Sequence, residues 1–186
     1  MLLLLVERFI SPSVRKAEIK EGAMVATFRA LLATKSNGRQ SVAIAELTEA
    51  DLMEGNVTVA VEHTTVNYKD GLAITGKAPI IRKFPLIPGI DLAGRVLRSG
   101  DPRFQMGDRV VLNGYGLGEV HHGGYAERAR VKGDWLILLP ENISTASAMA
   151  IGMPIRSGRT GCCNPYRSCA VVVASRGALK ATSSPL

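Results

Sequence analysis

Residues 64–76 read TTVNYKDGLAITG, and residues 84–94 read FPLIPGIDLAG. In the first run a stretch of β-branched residues ends before Asn67, and asparagine is a residue type that often caps helices. Asp70 would complement the positive N-terminal end of the helix dipole. Gly76 is suited to end that helix. The prolines at 79, 85 and 88 keep the next segment extended and irregular. Together the two runs predict a strand, a short helix and an irregular passage into another strand.

Short strands with turn signals between them occupy the chain on both sides of this stretch. Asn37-Gly38 favours a tight reversal and predicts a hairpin. Gly94 interrupts one predicted strand, where a bulge or a close backbone approach is expected. The predicted strands are 28–33, 41–46, 57–64, 90–98, 109–113, 124–131 and 135–140. A helix is predicted at 144–151, with Ser144 as its cap. This pattern indicates a mostly β fold with short helices, in the form of a small twisted barrel or sandwich.

The positive charge of the chain is concentrated at its end. The 186 residues carry a net charge of +7. Residues 24–152 hold 14 basic and 13 acidic residues, whereas residues 153–186 hold 5 basic residues and no acid. The body lacks a basic patch interleaved with aromatic residues, so we expect no nucleic-acid partner.

The cysteines and the N-terminus argue against further classes of protein. All three cysteines follow residue 152, and an odd number in one short segment predicts neither a disulfide framework nor a typical zinc site. The apolar start, residues 1–6, is too short for a signal peptide or a membrane span. We expect a cytoplasmic protein without a membrane partner.

Several blocks together resemble one enzyme family. They are Asn67-Tyr68-Lys69-Asp70, Pro88-Gly89-Ile90-Asp91, Gly107-Asp108-Arg109-Val110 and His122-Gly123-Gly124. In this order they resemble the zinc-free quinone oxidoreductases and acryloyl-CoA reductases among the medium-chain dehydrogenase/reductases. The resemblance begins near residue 27 and ends abruptly at Gly152.

The resemblance implies a domain organisation. Residues 24–152 would form the GroES-like domain, a twisted β-barrel, and residues 1–23 would be a poorly ordered extension. Residues 153–186 would be a divergent tail, either out of frame or naturally disordered, in which residues 170–174 could form a strand without an evident partner. The Rossmann domain of the family would then be missing.

The resemblance also implies a reaction. It is hydride transfer from NADPH to the activated C=C bond of an enoyl thioester or a quinone-like substrate, in a family whose full-length members could be homodimers. Two alternatives remain, a stand-alone binding module and an inactive truncated product. The glycine-rich run at 114–118 precedes a predicted strand rather than a helix, so it indicates a turn and not a dinucleotide-binding loop.

Tyr68 is the first candidate for a catalytic and cofactor-binding residue. The resemblance places the matching tyrosine against the cofactor, where a phenol can donate a hydrogen bond to the nicotinamide or to a substrate carbonyl. The alternative is a half-buried tyrosine that caps a backbone group. Asn67 is a second cofactor-binding candidate, or only a helix cap. Lys69 would face solvent if Tyr68 faces inward.

Other polar residues are weaker candidates. Zinc-dependent relatives carry histidine where this chain has Ile90, so no metal is expected, and Asp91 is predicted to pair with an arginine or with backbone N–H groups. Arg82, beside Lys83, is a candidate for attracting the phosphates of an acyl-CoA substrate, or a solvated charge. His122, with His121, is a candidate substrate contact, or a surface loop residue.

Overall fold

A β-hairpin opens the described part of the protein. The computed structural model describes residues 26–151 and 171–174. Strand β1 (Phe28–Ser36) pairs antiparallel with β2 (Arg39–Leu47). Asn37 and Gly38 between them have φ values of 50° and 77°, the left-handed conformation that a two-residue hairpin turn requires. The predicted hairpin is therefore confirmed.

A six-stranded sheet forms the body of the domain. Its strands are β3 (Val57–Val66), β4 (Asp91–Ser99), β5 (Arg109–Asn113), β6 (Arg128–Val131), β7 (Ile137–Leu138) and β8 (Val171–Ala174). The order across the sheet is β6-β3-β4-β5-β7, and all neighbours are antiparallel. The mostly β fold with short helices is confirmed.

The last strand corrects one expectation. The segment at 170–174 was expected to have no partner, but the backbone of β8 pairs with the final four residues of β3, from His63 to Val66. The first half of β3 pairs instead with β6. Along the edge that does not pair with β4, strand β3 is therefore bordered first by β6 and then by β8. The other residues of the predicted extension and tail lie outside the described residues.

Two short helices and two 3-10 turns complete the described structure. Helix α1 covers Tyr68–Thr75 and helix α2 covers Thr145–Ile151. Gly76 ends α1 with a φ of 66°, and the Ser144 hydroxyl accepts the N–H of Ser147 at 3.0 Å at the start of α2, so both predicted caps are confirmed. The 3-10 turns cover Glu49–Asp51 and Gly133–Trp135. Neither described helix is long and apolar enough to span a membrane.

Two predicted strands are shorter than expected. The strand predicted at 124–131 begins only at Arg128, because the N–H groups of residues 123–125 donate to the carbonyls of Ile87, Gly89 and Pro88 instead of to a strand. The strand predicted at 135–140 shrinks to Ile137–Leu138, since a 3-10 turn takes its first residue.

The two faces of the sheet bury different surfaces. The main core takes alternating residues of the central strands, among them Val61, Leu92 and Leu112. Ala93 and Val111 point to the opposite face, where they pack against Ala148 and Met149 of α2. The β-hairpin adds a further cluster through Phe28 and Leu31, which contacts Ile87 and Tyr125. Buried surfaces on both faces agree with the imperfect alternation of β3.

Gly94 marks the closest approach between β3 and β4. A Cβ atom at this position would lie 1.9 Å from the Ala60 carbonyl oxygen, and the pairing of the two strands shifts register nearby. The predicted close backbone approach is confirmed.

We expect Gly94→Ala to destabilise the protein by more than about 3 kcal/mol, because the backbone of β3 would have to move. Urea denaturation of the 186-residue chain measures the loss. Gly100→Ala is the matched control, since its Cβ would lie 3.5 Å from the nearest atom, an ordinary contact. Equal stabilities of the two variants would contradict this account of the β3–β4 contact.

Candidate functional site

The carboxylate of Asp91 ties three elements together. Asp91 begins β4 and is only 1% exposed. Its Oδ1 accepts the backbone N–H of Thr65 at 2.9 Å and the Thr64 hydroxyl at 3.2 Å. Its Oδ2 accepts the Thr65 hydroxyl and, at 3.2 Å, the Asn67 side-chain amide. The predicted pairing with backbone N–H is confirmed, and no arginine is among the partners that the structure gives Asp91.

The same network fixes the start of α1. Asn67 is the N-cap of the helix and forms a capping box with Asp70, whose carboxylate accepts the Asn67 backbone N–H at 2.9 Å. The Asn67 amide group donates to the Thr65 hydroxyl at 2.8 Å and to Asp91. The predicted cap is confirmed, and its side chain also links the helix to the ends of β3 and β4.

Asp70 is a second buried carboxylate, and it was predicted only as a favourable charge at a helix start. Its side chain is inaccessible and joins α1 to the segment before β4, since it accepts the N–H of Ile90 at 3.1 Å. Its pKa is raised from 3.8 to about 6. Burial is the main cause and the negative charge of Asp91 adds to it, while the hydrogen bonds from Asn67 and Ile90 act in the opposite direction. Asp70 therefore changes protonation close to neutral pH.

Two of the sequence blocks that carry the resemblance pack directly on each other. Gly89 adopts a φ of 104°, and its carbonyl accepts the N–H of Gly124 at 3.1 Å. A Cβ on Gly123 would lie 2.1 Å from the Gly89 oxygen, and one on Gly124 would lie 2.0 Å from the Asp91 oxygen. Only glycine allows this backbone contact.

Tyr125 closes the buried side of the site. It is 5% exposed, and its hydroxyl donates to the Thr65 carbonyl at 3.0 Å. Burial raises the pKa of the phenol well above its usual value, and the charges of Asp70 and Asp91 add to the effect. Tyr125 therefore stays a neutral hydrogen-bond donor that braces the end of β3.

Tyr68 faces solvent at the first position of α1. It is 82% exposed, so the alternative of a half-buried tyrosine is wrong. Lys69 does not simply face solvent, because its ammonium group forms an ion pair with Glu119. Arg82 lies 3.8 Å from the same glutamate, with a side chain that is 70% exposed. The structure therefore presents a phenol on a fixed helix start, with Lys69 and Arg82 sharing one counter-charge.

The two histidines are buried rather than exposed on a surface loop, which corrects that alternative. His122 accepts the N–H of Ile87 on Nδ1 at 3.2 Å, and its Nε2 lies 3.2 Å from the Asp51 carbonyl. Burial lowers its pKa, so the neutral ring with the proton on Nε2 satisfies both contacts. His121 likewise lies 3.1 Å from the Glu54 and His122 carbonyls. No ring nitrogen of His122 is free for a substrate in this arrangement.

Asn113, at the end of β5, was not singled out from the sequence. It is 6% exposed, and its Oδ1 is buried without a hydrogen-bond partner among the described residues. Local sequence gives little signal for Asn113, Asp70 or Tyr125, because each one contacts a distant part of the chain. Asp70 bonds to a residue 20 positions away and Tyr125 to one 60 positions away, and Asn113 pairs with Asp91 across the sheet. Across residues 26–151, no cluster of three or more His, Cys, Asp or Glu side chains has the arrangement to hold a metal ion.

Comparison with known proteins agrees with this geometry. Residues 53–141 match the family model described as the alcohol dehydrogenase GroES-like domain. The chain is 53% identical over 124 residues to a probable acrylyl-CoA reductase of Escherichia coli and 50% identical over 127 residues to an acrylyl-CoA reductase of Ruegeria pomeroyi. Each match covers 67% of this chain. The chain spans 38% of the length of these two relatives.

Solved structures give the same result. The yhdH oxidoreductase of Salmonella enterica in complex with NADP is similar with a TM-score of 0.65 and 54% identity, over 67% of this chain and 38% of that one. The Bacillus subtilis protein yhfP with NAD bound is similar with a TM-score of 0.63 and 44% identity, again over 67% of this chain and 38% of the other. The predicted GroES-like fold is confirmed.

The raised pKa of Asp70 gives a stability that depends on pH. A carboxyl group whose pKa rises on folding, here from 3.8 to about 6, stabilises the fold in its protonated form. This contribution is complete below the unfolded pKa and is lost as the pH rises through the folded one. Relative to Asp70→Asn, the wild-type chain should lose about 3 kcal/mol of unfolding free energy between about pH 4 and pH 7.

Urea denaturation of both proteins across this pH range measures the difference. Asp134→Asn is the control, because its side chain is 80% exposed in an ion pair with Arg103. The control should show a difference from wild type of less than about 1 kcal/mol at every pH. A flat difference between the wild type and Asp70→Asn would contradict the assigned pKa.

Proposed function

This chain belongs to the medium-chain dehydrogenase/reductases through their GroES-like domain, and we propose that it forms the substrate-side wall of an NADPH-dependent reductase. The proposed substrates are enoyl thioesters of the acryloyl-CoA type, with quinone-like molecules as a second class. Support comes from relatives of at least 50% identity that are named acrylyl-CoA reductases and from a similar structure that holds NADP.

The exposed phenol of Tyr68 is the observation that carries this proposal. A tyrosine that is 82% exposed at the first turn of a helix leaves a large ring and a hydroxyl without burial in its own domain. The helix start beneath it is held by Asn67 and Asp70, whose side chains bond to the adjacent residues Asp91 and Ile90. Such a preorganised side chain suits a binding wall better than a mobile surface.

The residues present fit a nicotinamide cofactor and a thioester. When bound, NADPH supplies the hydride that reduces the C=C bond. The proposed role of Tyr68 is to contact the nicotinamide and to donate its hydroxyl proton in a hydrogen bond to the carbonyl oxygen that gains charge. Asn67 is proposed to serve the cofactor site by holding Tyr68 in place, since its amide group already donates to Thr65 and Asp91.

Arg82 is proposed to attract the phosphates of the substrate. Its side chain is 70% exposed, and its guanidinium nitrogen lies 3.8 Å from a Glu119 carboxylate oxygen, a long distance for an ion pair. Lys69 forms a closer ion pair with the same carboxylate. One glutamate therefore balances two cations, so these three side chains together carry an excess of positive charge. Such a charge raises the rate of encounter with an anionic acyl-CoA at low salt.

A domain exchange tests the proposed reaction. The matched 124 residues of the Escherichia coli relative are replaced by the corresponding residues of this chain, and loss of NADPH absorbance is followed with acryloyl-CoA. The chimera should reduce the substrate. Tyr68→Phe should lower kcat/KM roughly 10-fold, the equivalent of one hydrogen bond to a charged oxygen.

Tyr115→Phe is the matched control for this substitution. Tyr115 stacks on Trp135 with ring centroids 5.5 Å apart, and the substitution keeps that contact, so kcat/KM should not change. A folded chimera that binds NADPH but leaves acryloyl-CoA and quinones unreduced would refute the proposed function. Equal effects of the two Tyr→Phe substitutions would refute the role of Tyr68 alone.

A further inference from the structure

The side-chain amide of Asn113 is an unusual group for a protein interior. Asn113 is 6% exposed, and its Oδ1 has no hydrogen-bond partner within the described part of the chain. A buried acceptor without a donor costs on the order of 1–3 kcal/mol, and native proteins contain few of them. The position of Asn113 in the sheet indicates what this acceptor is for.

Strand pairing places Asn113 beside the Asp91 network. Asn113 and Asp91 are directly opposite each other on β5 and β4. The next pair, Gly114 and Ile90, shares a backbone hydrogen bond of 2.9 Å, so Asn113 and Asp91 form a non-hydrogen-bonded pair, whose side chains approach most closely. Asp91 in turn binds Asn67, the residue before Tyr68. Asn113 is therefore linked through Asp91 to the residue that precedes Tyr68.

The face of the sheet agrees with this placement. Ala93 and Val111 are two residues before or after the pair, on the same face, and they pack against α2. The main core, with Leu92 and Leu112, lies on the other face. Asn113 thus lies outside the main core, on the same face of the sheet as Asp91 and α2.

The neighbouring donors are already committed. The Asp91 carboxylate takes the hydroxyls of Thr64 and Thr65, the backbone N–H of Thr65 and the amide of Asn67. Turning one of these donors toward Asn113 would remove a hydrogen bond from the buried Asp91 carboxylate, and the nearby Tyr125 hydroxyl already donates to the Thr65 carbonyl. The acceptor on Asn113 is therefore left for a donor from outside the described residues.

We propose that Asn113 is a ligand-binding residue whose Oδ1 accepts an amide N–H of the cofactor or of the substrate. The inference rests on the proposed function, which offers two sources of this chemistry, the carboxamide of nicotinamide and the amides of the pantetheine arm of an acyl-CoA. A neutral amide suits the site because its N–H group can donate to Oδ1, whereas a carboxylate would bring only further acceptors beside the Asp91 side chain.

Small probes distinguish the two sources in the full 186-residue chain. Nicotinamide and pantetheine are titrated separately against ¹⁵N-labelled protein, and the side-chain amide resonance of Asn113 is followed by NMR. Nicotinate is the matched probe, since it keeps the ring but replaces the N–H donors with a negative charge. One of the two amides should shift the Asn113 resonance in a saturable way, and nicotinate should leave it unchanged.

The variant Asn113→Leu tests the same contact without activity. Leucine has a similar size and leaves no unpaired acceptor, so stability in urea should be kept or increased. The affinity for the amide probe that shifts wild type should fall at least about 10-fold. Asn142→Leu, at an exposed position, is the control and should bind like wild type.

Three outcomes would overturn the proposal. They are an Asn113 resonance that responds to neither amide, an equal response to nicotinate, and unchanged affinity in Asn113→Leu. Each would mean that Oδ1 does not accept an amide N–H from either ligand. A Tyr68 signal that responds to NADPH while Asn113 stays silent would remove the Asn113 role and leave the proposed reductase function standing. Saturable amide binding together with an inactive chimera would support the Asn113 role and refute the proposed reductase function.

Discussion

The buried carboxylate of Asp91 is the constraint on which the site depends. A carboxylate that is 1% exposed needs hydrogen-bond donors in place of water, and Asp91 obtains them from the end of β3 and from the residue that caps α1. The hydrogen bonds therefore hold the end of β3 and the start of α1 against the Asp91 carboxylate. Because β3, β4 and α1 meet at this one group, the position of Tyr68 at the start of α1 follows from it.

Asp70 adds a second constraint of a different kind. It joins α1 to Ile90 through a backbone hydrogen bond, in a place where burial favours its neutral form. Burial is the main cause of the raised pKa of Asp70, and the negative charge of the neighbouring Asp91 adds to it. The hydrogen bonds of Asp91 and Asp70 thus fix the start of α1 beneath Tyr68, while the protonation of Asp70 responds to pH.

Much of the fold could be predicted from local patterns. Asn37-Gly38 specifies a hairpin turn because both residues tolerate a positive φ, and Gly76 ends α1 for the same reason. Gly94 indicates a close approach because a glycine inside a strand leaves no side chain to pack. Strand ends were predicted less well, since the backbone of residues 123–125 pairs with the distant segment at 87–89. Periodicity carries no signal for such a pairing.

The sequence by itself determined the order of the elements, the caps and turns, and the family to which the motifs belong, because these depend on residues close together in the chain. Only the tertiary structure decided which polar groups are buried, since burial depends on what packs above a residue. In the tertiary structure His122 is buried and bonded to the backbone, whereas Tyr68 is exposed. The fold also brings Asp70, Asp91, Asn113 and Tyr125 together from distant parts of the chain. The local sequence around a polar side chain does not reveal whether the side chain is exposed to water or buried. Its pKa and its need for hydrogen-bond partners depend on that difference.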